Sequence, residues 1–462
     1  MTTDGQTTVA SSGTPRPQAA KRPDNGVAQF IRARLTWGWM YRATSYLSSA
    51  LWVTPIVAIV LIYLLAPLMR WLDSYLDWNV TGLGVSGASA MYQTVITLAL
   101  SFLVFTFGSL LVAIQVAGGQ LTSRVIATTL LRDNVVRVSV GLFVFTLLLA
   151  VTGLNRLGTT VPNLVTTLTG VLGVACLMAF LFLIDYAARL LRPVSILARV
   201  GNQGVEVLRS VYPSLANAEH DESTHTAVEL PAPAREVMHT GRAKTLLAVD
   251  LASLIKEAQR YDSVIELVPQ IGDFIAQDEP LFRLYASAVA IDDHRLRAAV
   301  AFGDERTMEQ DPVFALRIMV DIALKALSPA INDPTTAVLA IDQIHRLLRV
   351  AGKRRLHSDA VVDASGRVRL VQRTPDWDDF VLVACAEIRA CGANSLQIAR
   401  RLRAMIDNLL ALLPAYRHAP LLQEKQRLDA AVEAAFTRPD ELALARTPDV
   451  QGLGGSAARS HR

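Results

Sequence analysis

Only three of the 462 residues are cysteine, and no two of them form a C-x-x-C pair. Cys176 lies inside an apolar run, and Cys385 and Cys391 stand six apart in a later amphipathic stretch. That spacing suggests neither a zinc site nor a redox motif, so three buried thiols in a reducing compartment are expected. H-E-x-x-H, Walker A, G-x-S-x-G and G-x-G-x-x-G patterns are also missing, and Gly118-Gly119 and Gly454-Gly455 are not phosphate loops. The eight histidines are scattered, and His220 and His225 share a polar stretch with no third ligand. The expectation is therefore no enzyme, no metal and no cofactor. A net charge of +4 without a basic patch interleaved with aromatics argues against nucleic acid as a partner. Residues 1–25 have no hydrophobic segment of a signal peptide and are rich in Thr, Ser, Gly, Pro and Gln, so a disordered tail is expected over 1–30.

Long apolar runs are scarce after residue 190, yet four crowd in before it: Leu51 to Leu72, Tyr92 to Ala117, Val136 to Leu154 and Leu164 to Ile184. A helix rises about 1.5 Å per residue, so about 20 apolar residues cross a bilayer core. The chain reads as an integral membrane protein, its partner the lipid bilayer. Spans are placed at about 51–72, 92–117, 136–154 and 164–184, within a transmembrane domain over 31–200. Positive charge gathers before the first run (Lys21, Arg22, Arg32, Arg34, Arg42), between the second and third (Arg124, Arg132, Arg137) and after the fourth (Arg189, Arg192, Arg199). The opposite loops hold only Arg70 and Arg156. Lys and Arg favour cytoplasmic loops, so both termini are expected inside. Trp37, Trp39 and Tyr41 before the first run, and Trp71, Tyr75 and Trp78 after it, read as interfacial belts. Arg32 to Tyr46 fits an amphipathic helix on the inner surface.

No run carries a charge near its middle, which argues against a proton relay or ion-coupled transport. Asp185 stands at the cytoplasmic end of the fourth run, one turn before Arg189. A solvated pair is the simpler reading, a pore-mouth carboxylate the alternative. The second run is the most polar, with Ser101, Thr106, Gly108, Ser109 and Gln115. Such hydroxyls either bond their own backbone four residues back or form a pore-lining face. The candidate pore-facing residues are Ser101, Thr106, Ser109, Gln115 and Asp185. Thr166-x-x-x-Gly170 and Thr169-x-x-x-Gly173 let the fourth run approach a neighbour closely. Residues 117–137 keep a helical rhythm but are too polar to span.

Past residue 200 the composition becomes mixed. We expect a linker over 201–242, a small β-rich subdomain over 243–300, a helical cytoplasmic subdomain over 301–437 and a disordered tail over 438–462. TLLAVDL, SVIELV and PLFRLYASAVAI are short, β-branched or aromatic segments bounded by turn residues. Gly272 to Leu281 reads as a hairpin turn, and RVRLV after Asp363-Ala364-Ser365-Gly366 as the return of another hairpin. Asp311-Pro312 and Asn332-Asp333-Pro334 each open a helix, with Asp as N-cap and Pro at the first helical position. The densest polar cluster runs from Gly303 to Pro312 and continues with Asp321, Asn332 and Asp333. An arginine among carboxylates beside two helix N-termini fits an anion or divalent-cation site. It fits equally an ion-pair network between two helices, which is preferred. The candidates are Arg306, Glu309, Asp311, Asn332 and Asp333. The fold class expected is an α-helical membrane protein with four transmembrane helices plus a cytoplasmic α+β domain.

Four stretches carry a resemblance: Gln115-Val-Ala-Gly-Gly-Gln-Leu-Thr-Ser-Arg124, Leu131-Arg132-Asp133, Arg306-Thr-Met-Glu-Gln-Asp-Pro312, and Ile322-Ala-Leu-Lys-Ala-Leu-Ser-Pro-Ala-Ile-Asn-Asp-Pro-Thr-Thr-Ala337. They resemble the hallmarks of a bacterial family of predicted membrane proteins, domain of unknown function 2254, over about residues 35 to 435. The resemblance implies a multi-pass protein of the bacterial inner membrane with a cytoplasmic C-terminal region. It brings no activity, and it gives the Arg306 cluster weight beyond capping. Two functions fit. One is a homo-oligomeric, channel-like or transport protein with a cytoplasmic regulatory domain, since one four-span unit encloses little water. The other is a membrane-anchored sensor or scaffold whose cytoplasmic domain binds a ligand or protein.

Overall fold

The computed structural model describes residues 37–50, 52–76, 82–120, 133–158, 161–190, 192–216, 230–356 and 359–455. Helices satisfy their backbone groups internally, which suits apolar runs of this length. The first half of the chain forms α1 (Trp37–Ser49), α2 (Val53–Leu76), α3 (Val85–Gln120), α4 (Asn134–Leu154) and α5 (Asn163–Leu190). Four of these are long and apolar enough to cross a membrane, over Val53–Asp73, Val85–Gln115, Asn134–Leu154 and Asn163–Leu190. The second begins at Val85, seven residues before the apolar run seen in the sequence. Ser86, Gly87 and Ser89 dilute that run without breaking a helix. The 36 residues of α3 extend about 54 Å, well beyond a hydrocarbon core of about 30 Å. Of the expected continuation over 117–137, residues 121–132 lie outside the described residues, as do Leu51 and Trp78.

α4 is the most enclosed span and packs against α2, α3 and α5. Small residues on α5 meet α3 closely. The Tyr92 hydroxyl and Thr166 Oγ1 share a 2.8 Å hydrogen bond, and a Cβ on Gly173 would stand 2.9 Å from Val95. At one end of the bundle Asp73, near the end of α2, accepts the Leu164 N–H at 2.9 Å and so caps the start of α5.

Two residues after α5, the chain re-enters a helix, α6 (Pro193–Val211). It is followed by β1 (Arg235–Met238), β2 (Lys244–Val249), α7 (Leu251–Arg260), β3 (Ile265–Leu267), β4 (Phe274–Ile275), β5 (Pro280–Leu284), α8 (Asp293–Ala298) and β6 (Val300–Gly303). Then come α9 (Pro312–Ala326), α10 (Pro334–Ala351), β7 (Ala360–Val362), β8 (Val368–Gln372), α11 (Trp377–Gly392), α12 (Leu396–Leu412), α13 (His418–Ala435) and α14 (Pro439–Ala445). The strands form a five-stranded sheet ordered β1-β5-β3-β8-β7, parallel only between β3 and β8, and a three-stranded antiparallel sheet ordered β4-β2-β6. Their common core includes Leu246, Phe282, Leu284 and Leu370. A second, larger core is helical. α9 sits at its centre, buried on nearly every side as its almost wholly apolar sequence requires, against α6, α10 and α11.

Several boundaries differ from those read in the sequence. Residues 201–211, assigned to a linker, complete α6, whose Val200, Val205 and Leu208 lie in the helical core. Gly201 and Gly204 let α6 close on Gln343 and Ala315. The β-rich unit is not confined to 243–300, because β1 precedes it and the β7–β8 hairpin adds its last two strands. Gly272 to Leu281 is no hairpin: β4 and β5 belong to different sheets, so the turn carries the chain between them. The tail assigned to 438–462 holds α14, and Asp449 beyond it is fully buried, its carboxylate accepting the Gln451, Gly452 and Gly454 amides. Cys176 and Cys385 are buried as expected, whereas Cys391 is exposed.

Candidate functional site

The five polar candidates of the α/β region do not form one cluster. Asp311 and Asp333 both cap helices as their Asp-Pro pairs imply, accepting Phe314 N–H at 3.0 Å and Thr336 N–H at 3.1 Å. They lie at opposite ends of α9, because the Asp333 amide bonds the Ala326 carbonyl at the last turn. The length of α9, about 21 Å, therefore separates Arg306 and Asp311 from Asn332 and Asp333. Asn332 is exposed with a φ of +47°, and Glu309 is half-buried.

What Arg306 makes is a staple between the two cores. Its Nε lies 2.5 Å from Asp311 Oδ2, its guanidinium covers the Phe314 ring, and it rests on Gly272, where any Cβ would collide with it at 2.4 Å. Next to it Gln310 Oε1 accepts the Val249 amide at 2.9 Å. Burial pushes the Asp311 carboxyl above its ordinary value, against the pull of Arg306 and of the Phe314 and Val313 amides. Among the described residues, no group of three His, Cys, Asp or Glu side chains is placed to hold a metal ion.

The candidates on α3 also separate. Thr106 faces inward and donates to the Phe102 carbonyl at 2.7 Å. Ser109 lines an apolar groove with Phe105, Phe180 and Leu183. Asp185 pairs with Arg189 on the exposed side of α5. Ser101, whose hydroxyl bonds the Thr97 carbonyl at 2.8 Å, and Gln115 are exposed. They belong to a stripe of which the sequence reading named only Ser101, Gly108 and Gln115: Gln93, Thr97, Ser101, Gly108 and Gln115, all exposed. At 100° per residue these five fall within about 80° of the helix circumference, in line with Val104 and Leu111. Steps of four, four, seven and seven residues were the signal.

A second missed feature joins bundle and α/β region. Asp133, 3% exposed, caps α4 by accepting the Val135 and Val136 amides at 2.9 and 3.3 Å. Its other oxygen accepts the Tyr186 hydroxyl of α5 at 2.6 Å and Arg199 Nη1 of α6 at 2.7 Å. Arg199 Nη2 closes the triangle on the Tyr186 oxygen at 3.2 Å. Burial alone would raise the Asp133 carboxyl, but Tyr186 and Arg199 outweigh it and hold the group below its usual range. Nearby, Arg137 Nη2 of α4 donates to the Leu47 carbonyl of α1 at 3.4 Å. α1 in turn lies on the edge strand β6, so closely that a Cβ on Gly38 would stand 2.4 Å from the Val300 carbonyl oxygen.

An uncharacterized protein of Mycobacterium bovis is 26% identical over 367 residues, 76% of this chain and 69% of its own length. Two uncharacterized proteins from strains of Mycobacterium tuberculosis are 26% and 25% identical over the same coverage. No solved structure matches. Residues 48–408, which hold all four spans, the Asp133 triangle and the Arg306 staple, match the family described as Predicted membrane protein (DUF2254), and the chain belongs to that family.

Proposed function

We propose that the chain assembles with copies of itself into a channel-like protein of the bacterial plasma membrane, regulated by its α/β region. The polar stripe on α3 carries this reading. If the apolar span Val85–Gln115 is centred in the bilayer, Gln93 lies about 10 Å from the midplane of a core about 30 Å thick. A side-chain amide without partners costs roughly 2–7 kcal/mol in an apolar medium. Gln93 Nε2 reaches only Ser89 Oγ, at 3.3 Å, among the described residues. A stripe of this kind favours a wet path or another subunit over lipid. The distribution of Lys and Arg favours termini and α/β region on the cytoplasmic side.

The test uses cysteine at Thr97, Ser101, Gly108 and Gln115, one at a time, in a chain whose three native cysteines are alanine. A membrane-impermeant thiol reagent should label all four in reconstituted protein, with cysteine at Thr106 as the protected control. Protection of all four would remove the channel reading and favour a membrane-anchored sensor.

A further inference from the structure

A basic cavity of about 480 Å³ opens between the end of α6, residues 212–215 and the outer face of α10. That volume suits a small ligand. Five cations line it, Arg209, Arg346, Arg349, Lys353 and Arg354, against one carboxylate, Asp342. Asp342 is already engaged, since Arg401 Nη2 stands 2.5 Å from its Oδ1. We infer that this cavity binds a phosphate-bearing anion.

Three observations carry the inference beyond a merely charged surface. Arg346 and Arg349 stand three residues apart on α10, and Lys353 follows four residues later, just past its last residue. Like charges at that spacing destabilise a helix. Most arginines of the α/β region pair with carboxylates, among them Arg283, Arg295, Arg317 and Arg367. Arg209, Arg349 and Lys353 have no such partner among the described residues. Second, part of the wall is already set. Arg354 Nη1 donates to the Tyr212 and Pro213 carbonyls at 2.5 and 2.9 Å, and Arg346 Nη1 to Asn202 Oδ1 at 2.6 Å. Third, Arg354 Nε is buried with no hydrogen-bond partner. Guanidinium groups grip phosphate oxygens through paired N–H donors, and several cations around one pocket call for an anion of more than one charge. A soluble polyphosphate and the headgroup of an acidic phospholipid share this chemistry. The inference is independent of whether the spans form a channel.

The experiment measures the melting temperature of the detergent-purified full chain during titration with tripolyphosphate, ionic strength being matched with sodium chloride. The wild type should gain about 3 °C or more near saturation. Arg349→Gln combined with Lys353→Gln should weaken the apparent affinity roughly tenfold or more. Arg373→Gln, an exposed site elsewhere, should leave the response intact. A second arm compares phosphatidylcholine discs with and without phosphatidylglycerol. Stabilisation by phosphatidylglycerol that the double variant loses assigns the site to a lipid headgroup. Should the double variant fold poorly, Arg209→Gln on the opposite wall gives the same readout. Equal responses of wild type and variants in both arms overturn the site.

Discussion

At Asp133 one carboxylate caps a helix, accepts a phenol and pairs with an arginine, and each contact holds the ionised form. Asp133→Asn leaves shape and cap nearly intact but takes from Arg199, whose side chain is 35% exposed, the carboxylate it pairs with. A fully buried stranded charge costs about 3–5 kcal/mol, and partial exposure reduces this to about 1–3. Tyr186→Phe should cost less, about 1 kcal/mol, and chemical denaturation in detergent measures both. Because the folded-state pKa of Asp133 is depressed, its stabilisation is complete above the unfolded carboxylate value and is lost as pH falls through the lower folded value. The wild-type advantage over Asp133→Asn should therefore persist at neutral pH and vanish only in strong acid. Arg306 gives the opposite sign. Arg306→Ala leaves Asp311 buried without its cation and should cost about 1–3 kcal/mol at neutral pH. Burial already raises the Asp311 pKa, so protonation favours the folded state, and the loss should shrink as the solution is acidified. A loss that grew in acid would refute the staple. The capping roles of Asp311 and Asp333 were readable from the sequence because a cap is written within four residues. The Asp133 triangle was not, since its partners lie 53 and 66 residues away.

Elements are where propensity and packing compete, and α1 shows it at Gly38. Alanine there should favour an isolated helix by about 1 kcal/mol. Its Cβ would meet the Val300 carbonyl oxygen at 2.4 Å, and Val300 is held in β6 opposite Val249 of β2. Overpacking costs about 1–3 kcal/mol when the neighbour cannot yield. Gly38→Ala should therefore destabilise the protein and speed proteolysis around α1; slower cleavage would mean that α1 does not rest on β6. The four spans could be read from apolar length alone, because lipid leaves a helix few alternatives. α6 was missed because Asn202, Gln203, Glu206 and Arg209 give its second half a polar look. Ile196, Leu197, Val200, Val205 and Leu208 nevertheless keep helical spacing and are buried. The two-sheet arrangement could not be read at all, since strand pairing across 100 residues, as between β3 and β8, leaves no local trace.

For the whole molecule the open question is what covers the stripe on α3. Gly108 lies in it, and a Cβ there would meet nothing within 4 Å of its own chain. Gly108→Trp should therefore leave the monomer's fold and melting temperature nearly unchanged while lowering the particle mass in mild detergent. An unaltered mass would show that copies do not meet along this face. The joint between α5 and α6 bears on how such an assembly would respond to the α/β region. Only residues 191 and 192 separate a span from a helix set in the largest core, and Arg199 pins the second to the capped start of α4. So short a connection in sequence leaves little slack. α6 is about 27 Å long, so a tilt of 10° transmitted through it would swing the Arg209 end by about 5 Å. In such an assembly it would act as a crank: whatever gripped its far end would exert torque on the wall of the bundle.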